Sequence, residues 1–158
     1  MYIILSLLLV VLDSTLIKFL AIANIVPDIL VIWIVYIAVR EGQMAGTTAG
    51  FFIGLAAAMT GTSEGMFGLA PLAKTIAGFI AGYFYNENKM YNTLGGYQFI
   101  VIVGFSSLVH NILYFIIFLQ GSGLSWTQSV LSYGVPSTAY TTVVALLPMF
   151  AFARKYVS

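Results

Sequence analysis

Arg40–Phe84 reads REGQMAGTTAGFFIGLAAAMTGTSEGMFGLAPLAKTIAGFIAGYF, and its glycines decide what kind of fold this chain can have. Gly42, Gly46, Gly50 and Gly54 fall four residues apart, and Gly78 and Gly82 repeat the spacing. Four α-helical residues turn through about 400°, so the glycines form a nearly straight furrow along one helix face. In water, a glycine inside a helix costs roughly 1 kcal/mol against alanine. In lipid, helices associate through packing contacts, and a missing side chain lets a second backbone come close. The furrow therefore predicts tight helix packing, either within this chain or against the helix of a partner protein.

The rest of the composition agrees with a lipid setting. The chain has 158 residues, of which 61% are hydrophobic and 7% charged, against about 25% charged in a soluble domain. So few charges cannot cover a water-facing surface. The length suits one domain, 1–158. A net charge of +1 supplies no basic field for nucleic acid and no acidic field for cationic partners. Cysteine is absent, which excludes disulfides, thiolate metal sites and a cysteine nucleophile.

Working outward, the apolar runs predict an all-α integral membrane protein with six transmembrane helices over about 3–23, 27–40, 43–59, 66–85, 97–119 and 133–153. Ala21-Ile22-Ala23 resembles a signal-peptidase site, but no Lys or Arg precedes the first run and Asp13 and Lys18 interrupt it, so an uncleaved helix is expected. Pro27 suits the first turn of the second helix, and Asp28 would lie at its positive end. That run is short for a span, so it is expected to be tilted or to extend to Arg40; a re-entrant segment is the alternative. Pro71 starts or kinks the fourth helix, and Pro136 and Pro148 break the last. Thr60–Gly65 and Asn86–Gly96 read as polar links, the second as a water-exposed loop. Trp126 in the connection Gln120–Ser132 suits a membrane–water interface. Arg40, Lys89 and Arg154-Lys155 end the even-numbered helices, which puts both termini in the cytoplasm.

Two charges fall inside the spans. Asp13 and Lys74 each cost several kcal/mol if they meet lipid unpaired. An Asp13–Lys74 ion pair satisfies both; the competing expectation is that Lys74 reaches an acidic group of a partner. Lys18 can snorkel to the interface. His110, the only histidine, cannot make a metal site alone and, beside Asn111, is expected to hydrogen-bond between helices. No Ser–His–Asp, phosphate-loop or dinucleotide pattern occurs, and the glycine–aspartate setting of an intramembrane hydrolase is missing. Neither an enzyme, a cofactor nor a metal is expected.

Pro27-Asp28-Ile29-Leu30-Val31, with a span ending in Tyr36–Arg40, resembles the proline–aspartate–leucine signature of the rod shape-determining membrane protein family MreD. The next segment adds to it: Gly46, Gly50-Phe51 and Gly54-Leu55, then Gly68-Leu69 and Lys74 with Gly78, in the family's order and spacing. Many family members carry an acidic residue where this chain has Ala58, so a role for that acid does not carry over; Asp13 also stands where an uncharged polar residue is usual. The resemblance implies a non-enzymatic scaffold of the bacterial cell-elongation machinery in the cytoplasmic membrane. Such proteins bind MreC and link MreB filaments inside to cell-wall synthesis outside, through RodA and a class B penicillin-binding transpeptidase. It also implies a fold similar to the six-helix substrate-binding components of energy-coupling-factor transporters.

That likeness supplies a second expectation, binding of a vitamin or metal for uptake. Such a site needs several polar groups converging on a ligand near the outer face, and only Glu64, Trp126, Thr127 and Gln128 are available there. The scarcity favours the scaffold. The residues expected to carry partner contact or helix packing are Pro27 and Asp28 with Gly42, Gly46, Gly50, Gly54, Gly78 and Gly82.

Overall fold

The computed structural model describes residues 2–15, 17–22, 25–60, 68–118, 120 and 125–156. Among these the chain is all-helical, with no strand and one isolated antiparallel bridge between Ile22 and Ile25. The helices are α1 (Tyr2–Thr15), α2 (Ile29–Glu41), α3 (Gln43–Met59), α4 (Leu69–Gly82), α5 (Met90–Leu94), α6 (Tyr97–Phe118), α7 (Trp126–Ser129), α8 (Val135–Val144) and α9 (Leu146–Tyr156). Two stretches, Tyr97–Ile117 and Trp126–Arg154, are long and apolar enough to cross a membrane.

The centre of the bundle is α2. It buries nine of its 13 residues, from Leu30 to Val39, and packs on α1, α3, α4, α5, α6 and α8. A helix that is apolar all round belongs in an interior, and the run ILVIWIVYIAV has no polar face to offer outward. The outside is apolar as well. Ile3, Ile4 and Leu7 of α1, Phe52 of α3, Val101 and Phe105 of α6, and Leu147 and Phe150 of α9 are all exposed. Large apolar side chains exposed on α1, α3, α6 and α9 alike are what a lipid-facing surface would present.

Several element ends differ from expectation, each for a local reason. The first helix stops at Thr15 instead of near residue 23. The Ser14 and Thr15 hydroxyls both donate to the Val11 carbonyl, at 2.9 and 2.7 Å, which offers that carbonyl an alternative to the helical ladder; a 3-10 turn, Ile17–Leu20, follows. The second helix begins after Pro27, not at it, because Asp28 is the N-cap: its extended backbone lets Oδ1 accept from the Val31 N–H at 3.0 Å. Pro71 lies in the first turn of α4, where no N–H is required. Residues 87–94, expected as an exposed loop, are helical, with Thr93 and Leu94 buried. Residues 126–129, expected as loop, form α7, fixed by a capping box between Ser125 and Gln128. The two prolines of the last segment, expected to break it, change its winding and leave Trp126–Arg154 one helical stretch with a single turn residue at Ala145. A proline ring clashes with the carbonyl four residues earlier. For Pro136 that is Ser132, within the π-turn Val130–Gly134; for Pro148 it is Val144, where α8 ends.

Aromatic rings tie α1, α2 and α9 together. Trp33 stacks on Tyr36 and Tyr36 on Phe152, with centroids 5.1 and 4.9 Å apart, and the Trp33 indole N–H donates to Ser6 Oγ at 2.8 Å. The end of α2 carrying Arg40 therefore lies beside the part of α9 carrying Arg154. α5, directly after Lys89, also packs on α9.

Candidate functional site

The Pro27–Asp28 turn is where four parts of the chain meet. Pro27 is fully buried, and a residue preceding proline is held extended, so Val26 turns its carbonyl toward α8, where Ser137 Oγ donates to it at 3.2 Å. One helical turn further along α8, Thr141 Oγ1 accepts the Asp28 N–H at 3.0 Å. Two backbone groups of the turn, the Val26 carbonyl and the Asp28 N–H, are thereby satisfied by hydroxyls four residues apart on one helix face.

The Asp28 side chain then collects the buried charge. Oδ1 is occupied by the α2 cap. Oδ2 receives Lys74 Nζ of α4 at 2.5 Å and His110 Nε2 of α6 at 3.2 Å. Lys74 and His110 are 5% and 4% exposed, so removing the carboxylate from between them would leave a costly unpaired group in the interior. His110 Nδ1, on the other side of the ring, is buried. It and Ser106 Oγ, one turn earlier on α6, are the two buried side-chain polar atoms without a hydrogen-bond partner among the described residues. Asn111 bridges α6 to α8 through Thr138 Oγ1 at 2.9 Å. His110 and Asn111 thus both bond between helices.

The expected Asp13–Lys74 pair does not form: Lys74 pairs with Asp28. The reason is topological. α1 packs on α2 and α3, whereas α4 packs on α2, α3 and α6, so Lys74 emerges beside the start of α2 and not beside α1. Asp13 is half-buried and within electrostatic reach of both Asp28 and Lys74, but makes no ion pair among the described residues. Nor does Lys74 wait for a partner's acid, since it is engaged within the chain.

The glycine furrow is filled by the chain's own α4. A Cβ on Gly50 would collide with the Lys74 carbonyl oxygen, one on Gly78 with the Gly46 carbonyl oxygen, and one on Gly82 with the Gln43 backbone. Gly54 stands over Pro71, its Cβ position 2.6 Å from the Pro71 Cα. Close approach of this kind leaves no space for a partner's helix, so of the two roles expected for Gly46, Gly50, Gly54, Gly78 and Gly82, partner contact or helix packing, the structure shows packing within the chain. Gly42 is outside the furrow. It is the joint between α2 and α3, with φ +96° and ψ 178°, a backbone region open essentially to glycine alone.

Sequence reasoning singled out Asp28 and Lys74 but not their connection, and it missed Thr141 and Ser137. The signal for the latter was the hydroxyl-rich run Ser137-Thr138-x-x-Thr141-Thr142 inside an otherwise apolar helix. Of the outer-side candidates, Trp126, Thr127 and Gln128 are exposed, with Gln128 spent on its cap; Glu64 lies outside the described residues, as does the side chain of Lys18. No group of three or more His, Asp or Glu side chains that could hold a metal ion occurs among the described residues. Both Asp28 oxygens are engaged, so the carboxylate works here as an acceptor that gathers α2, α4 and α6, while the Asp28 backbone N–H makes the link to α8. Comparison with protein families, curated proteins and solved structures finds no match to this chain.

Proposed function

We propose that this chain is a non-enzymatic scaffold that crosses the bacterial cytoplasmic membrane six times with both termini inside, and that it serves cell elongation as the MreD resemblance implies. In this reading it holds MreC and links RodA and a class B penicillin-binding transpeptidase to MreB filaments. The observation that carries it is how the polar groups are used. The proline–aspartate turn, the most specific part of the resemblance, lies at the junction where Lys74, His110 and Thr141 are spent on holding the chain's own helices, while the exterior is hydrocarbon. An uptake protein needs polar side chains converging on a cavity. Two of the described grooves, about 310 Å³ among α2, α6 and α9 and about 640 Å³ between α1 and α3, are lined mainly by aliphatic and aromatic side chains, and a third of about 430 Å³, with Asn86, Lys89, Thr93 and Gln98 in its lining, lies at the end this reading gives to the cytoplasm and not at the outer face.

At 1.5 Å per residue, α1 to α4 measure about 20–26 Å, less than the roughly 30 Å of a hydrocarbon core. Adjoining turns and local thinning make up the difference. The test of function is affinity purification from the native membrane. MreC and the transpeptidase are expected to copurify; recovery of an energy-coupling ATPase module in their place would overturn the scaffold. Topology has its own test, made clean by the absence of native cysteine. Asn88→Cys should react with an impermeant maleimide only after the cells are opened, and Thr127→Cys should react in intact cells. The reverse pattern would invert the orientation.

A further inference from the structure

The groove between α1 and α3 has two parts of different chemistry. Along its length Ile3, Leu7 and Val10 face Ala45, Ala49 and Ala56. These alanines lie on a different side of α3 from the glycines that α4 covers, and their small side chains are what leaves the slot open. Its polar members Ser6 and Thr48 are already bonded, to the Trp33 indole and to the Met44 carbonyl, so the length of the slot offers hydrocarbon only. The mouth is charged. Tyr2 and Glu41 line it, the Tyr2 hydroxyl donates to Glu41 Oε1, Arg40 Nε stands 3.5 Å from the same oxygen, and the Arg40 guanidinium lies 5.8 Å from the centre of the Tyr2 ring. The Arg40 and Glu41 side chains remain 32% and 43% exposed.

We infer that this groove binds one phospholipid of the cytoplasmic leaflet, an acyl chain in the slot and a headgroup carrying both phosphate and primary amine at the mouth. The inference rests on the membrane reading above. Length selects the occupant. From Ala45 to Ala56 the wall of α3 rises about 16 Å, which is half of a hydrocarbon core of about 30 Å, the depth of one leaflet. A partner helix crossing the bilayer would use a face about twice as long. Charge selects the headgroup. Arg40 suits a phosphate oxygen, whereas Glu41 beside it repels a purely anionic head and accepts N–H bonds from an ammonium. The two side chains present both signs within one headgroup's reach.

The experiment is native mass spectrometry of the full chain released in mild detergent from a membrane holding both phosphatidylethanolamine and phosphatidylglycerol. One bound lipid per chain is expected, with phosphatidylethanolamine enriched several-fold over its share of the membrane. Ala49→Trp fills the slot and lowers bound lipid about tenfold, equivalent to one decade in dissociation constant. Glu41→Gln, at an exposed position, keeps the lipid but returns the headgroup ratio to that of the bulk membrane. Unchanged lipid in an Ala49→Trp protein that melts like wild type overturns the inference. So does an unchanged ratio in Glu41→Gln, which stands as the test if Ala49→Trp fails to fold. Loss of a copurifying protein with lipid retained overturns it in favour of a helix site. A membrane-embedded chain with no enriched lipid sinks this inference alone; a chain recovered from the aqueous phase without detergent sinks the membrane reading itself.

Discussion

Gly50→Leu is expected to abolish recovery of folded protein. At this position even a methyl group would fall inside the Lys74 carbonyl oxygen, with the Lys74 carbonyl carbon 2.8 Å and the Thr75 Cα 2.9 Å away. All three are backbone atoms of α4, so no side chain can swing aside, and relief requires the two helices to separate. Overpacking a core side chain costs typically 1–3 kcal/mol. Gly50→Ala should sit at or above the top of that range, and leucine adds three further carbons to a site that does not admit the first. The most extensive helix pair in the protein would be lost, against a total stability of about 5–15 kcal/mol for a typical domain. Fluorescence-detected size exclusion in detergent measures it: Gly50→Leu yields no monodisperse peak, Gly50→Ala a weakened one. Two other glycines calibrate the result. A Cβ at Gly68 meets nothing within 4 Å, so Gly68→Ala is near neutral. Gly42→Ala has room but the wrong backbone, and its cost of about 1–3 kcal/mol is strain alone. If Gly50→Leu folds normally and only loses a binding partner, α4 does not occupy the furrow and the packing described here is incorrect.

The furrow also marks the boundary of what the sequence made legible. Four-residue glycine spacing specifies close approach but not the identity of the approaching backbone, so Gly46 and Gly50 were readable as packing residues while α4 as their occupant was not. Helix interiors were readable because period is local, and the prolines marked where the winding of the last segment changes but not that the segment stays helical through them. The stop at Thr15 was not, because it depends on which of two acceptors a hydroxyl prefers. α7 was missed although Ser125-x-x-Gln128 spells a capping box, since tryptophan among polar residues was read as an interfacial loop. For the candidate site, depth in the bilayer was the only guide to pairing, and Asp13 and Lys74 matched in depth. Depth carries no information about which helices are neighbours. The contact of α4 with the start of α2 is a property of the assembled bundle, and so are the hydroxyls that α8 brings to Val26 and Asp28.

Asp28 is therefore the residue whose change should reveal the assembly most directly. Asparagine keeps the shape and the cap, because it is as good an N-cap as aspartate, so Asp28→Asn isolates the charge. It leaves Lys74 almost fully buried with its counter-ion gone and removes the acceptor of His110. Breaking a buried pair from one side costs about 3–5 kcal/mol, tempered here by Asp13, whose carboxylate is near enough to share the lysine's field. Removing both charges should relieve much of that loss: Asp28→Asn with Lys74→Met is expected to be more stable than Asp28→Asn alone, since an apolar side chain replaces an uncompensated ammonium. Asp13→Asn should have a small effect, because it loses attraction to Lys74 and repulsion from Asp28 together. Unfolding in sodium dodecyl sulfate, followed by tryptophan fluorescence, gives the double-mutant cycles. The Asp28–Lys74 coupling is expected to exceed the Asp13–Lys74 coupling several-fold. The opposite order would mean that Lys74 rests on α1 in the membrane and that Asp28 serves only as a cap. Thr141→Val separates these alternatives further: it strips the Asp28 N–H of its acceptor, at about 1–3 kcal/mol, and its effect should persist in the Lys74→Met background, because the hydroxyl holds the backbone of the turn and not the charge.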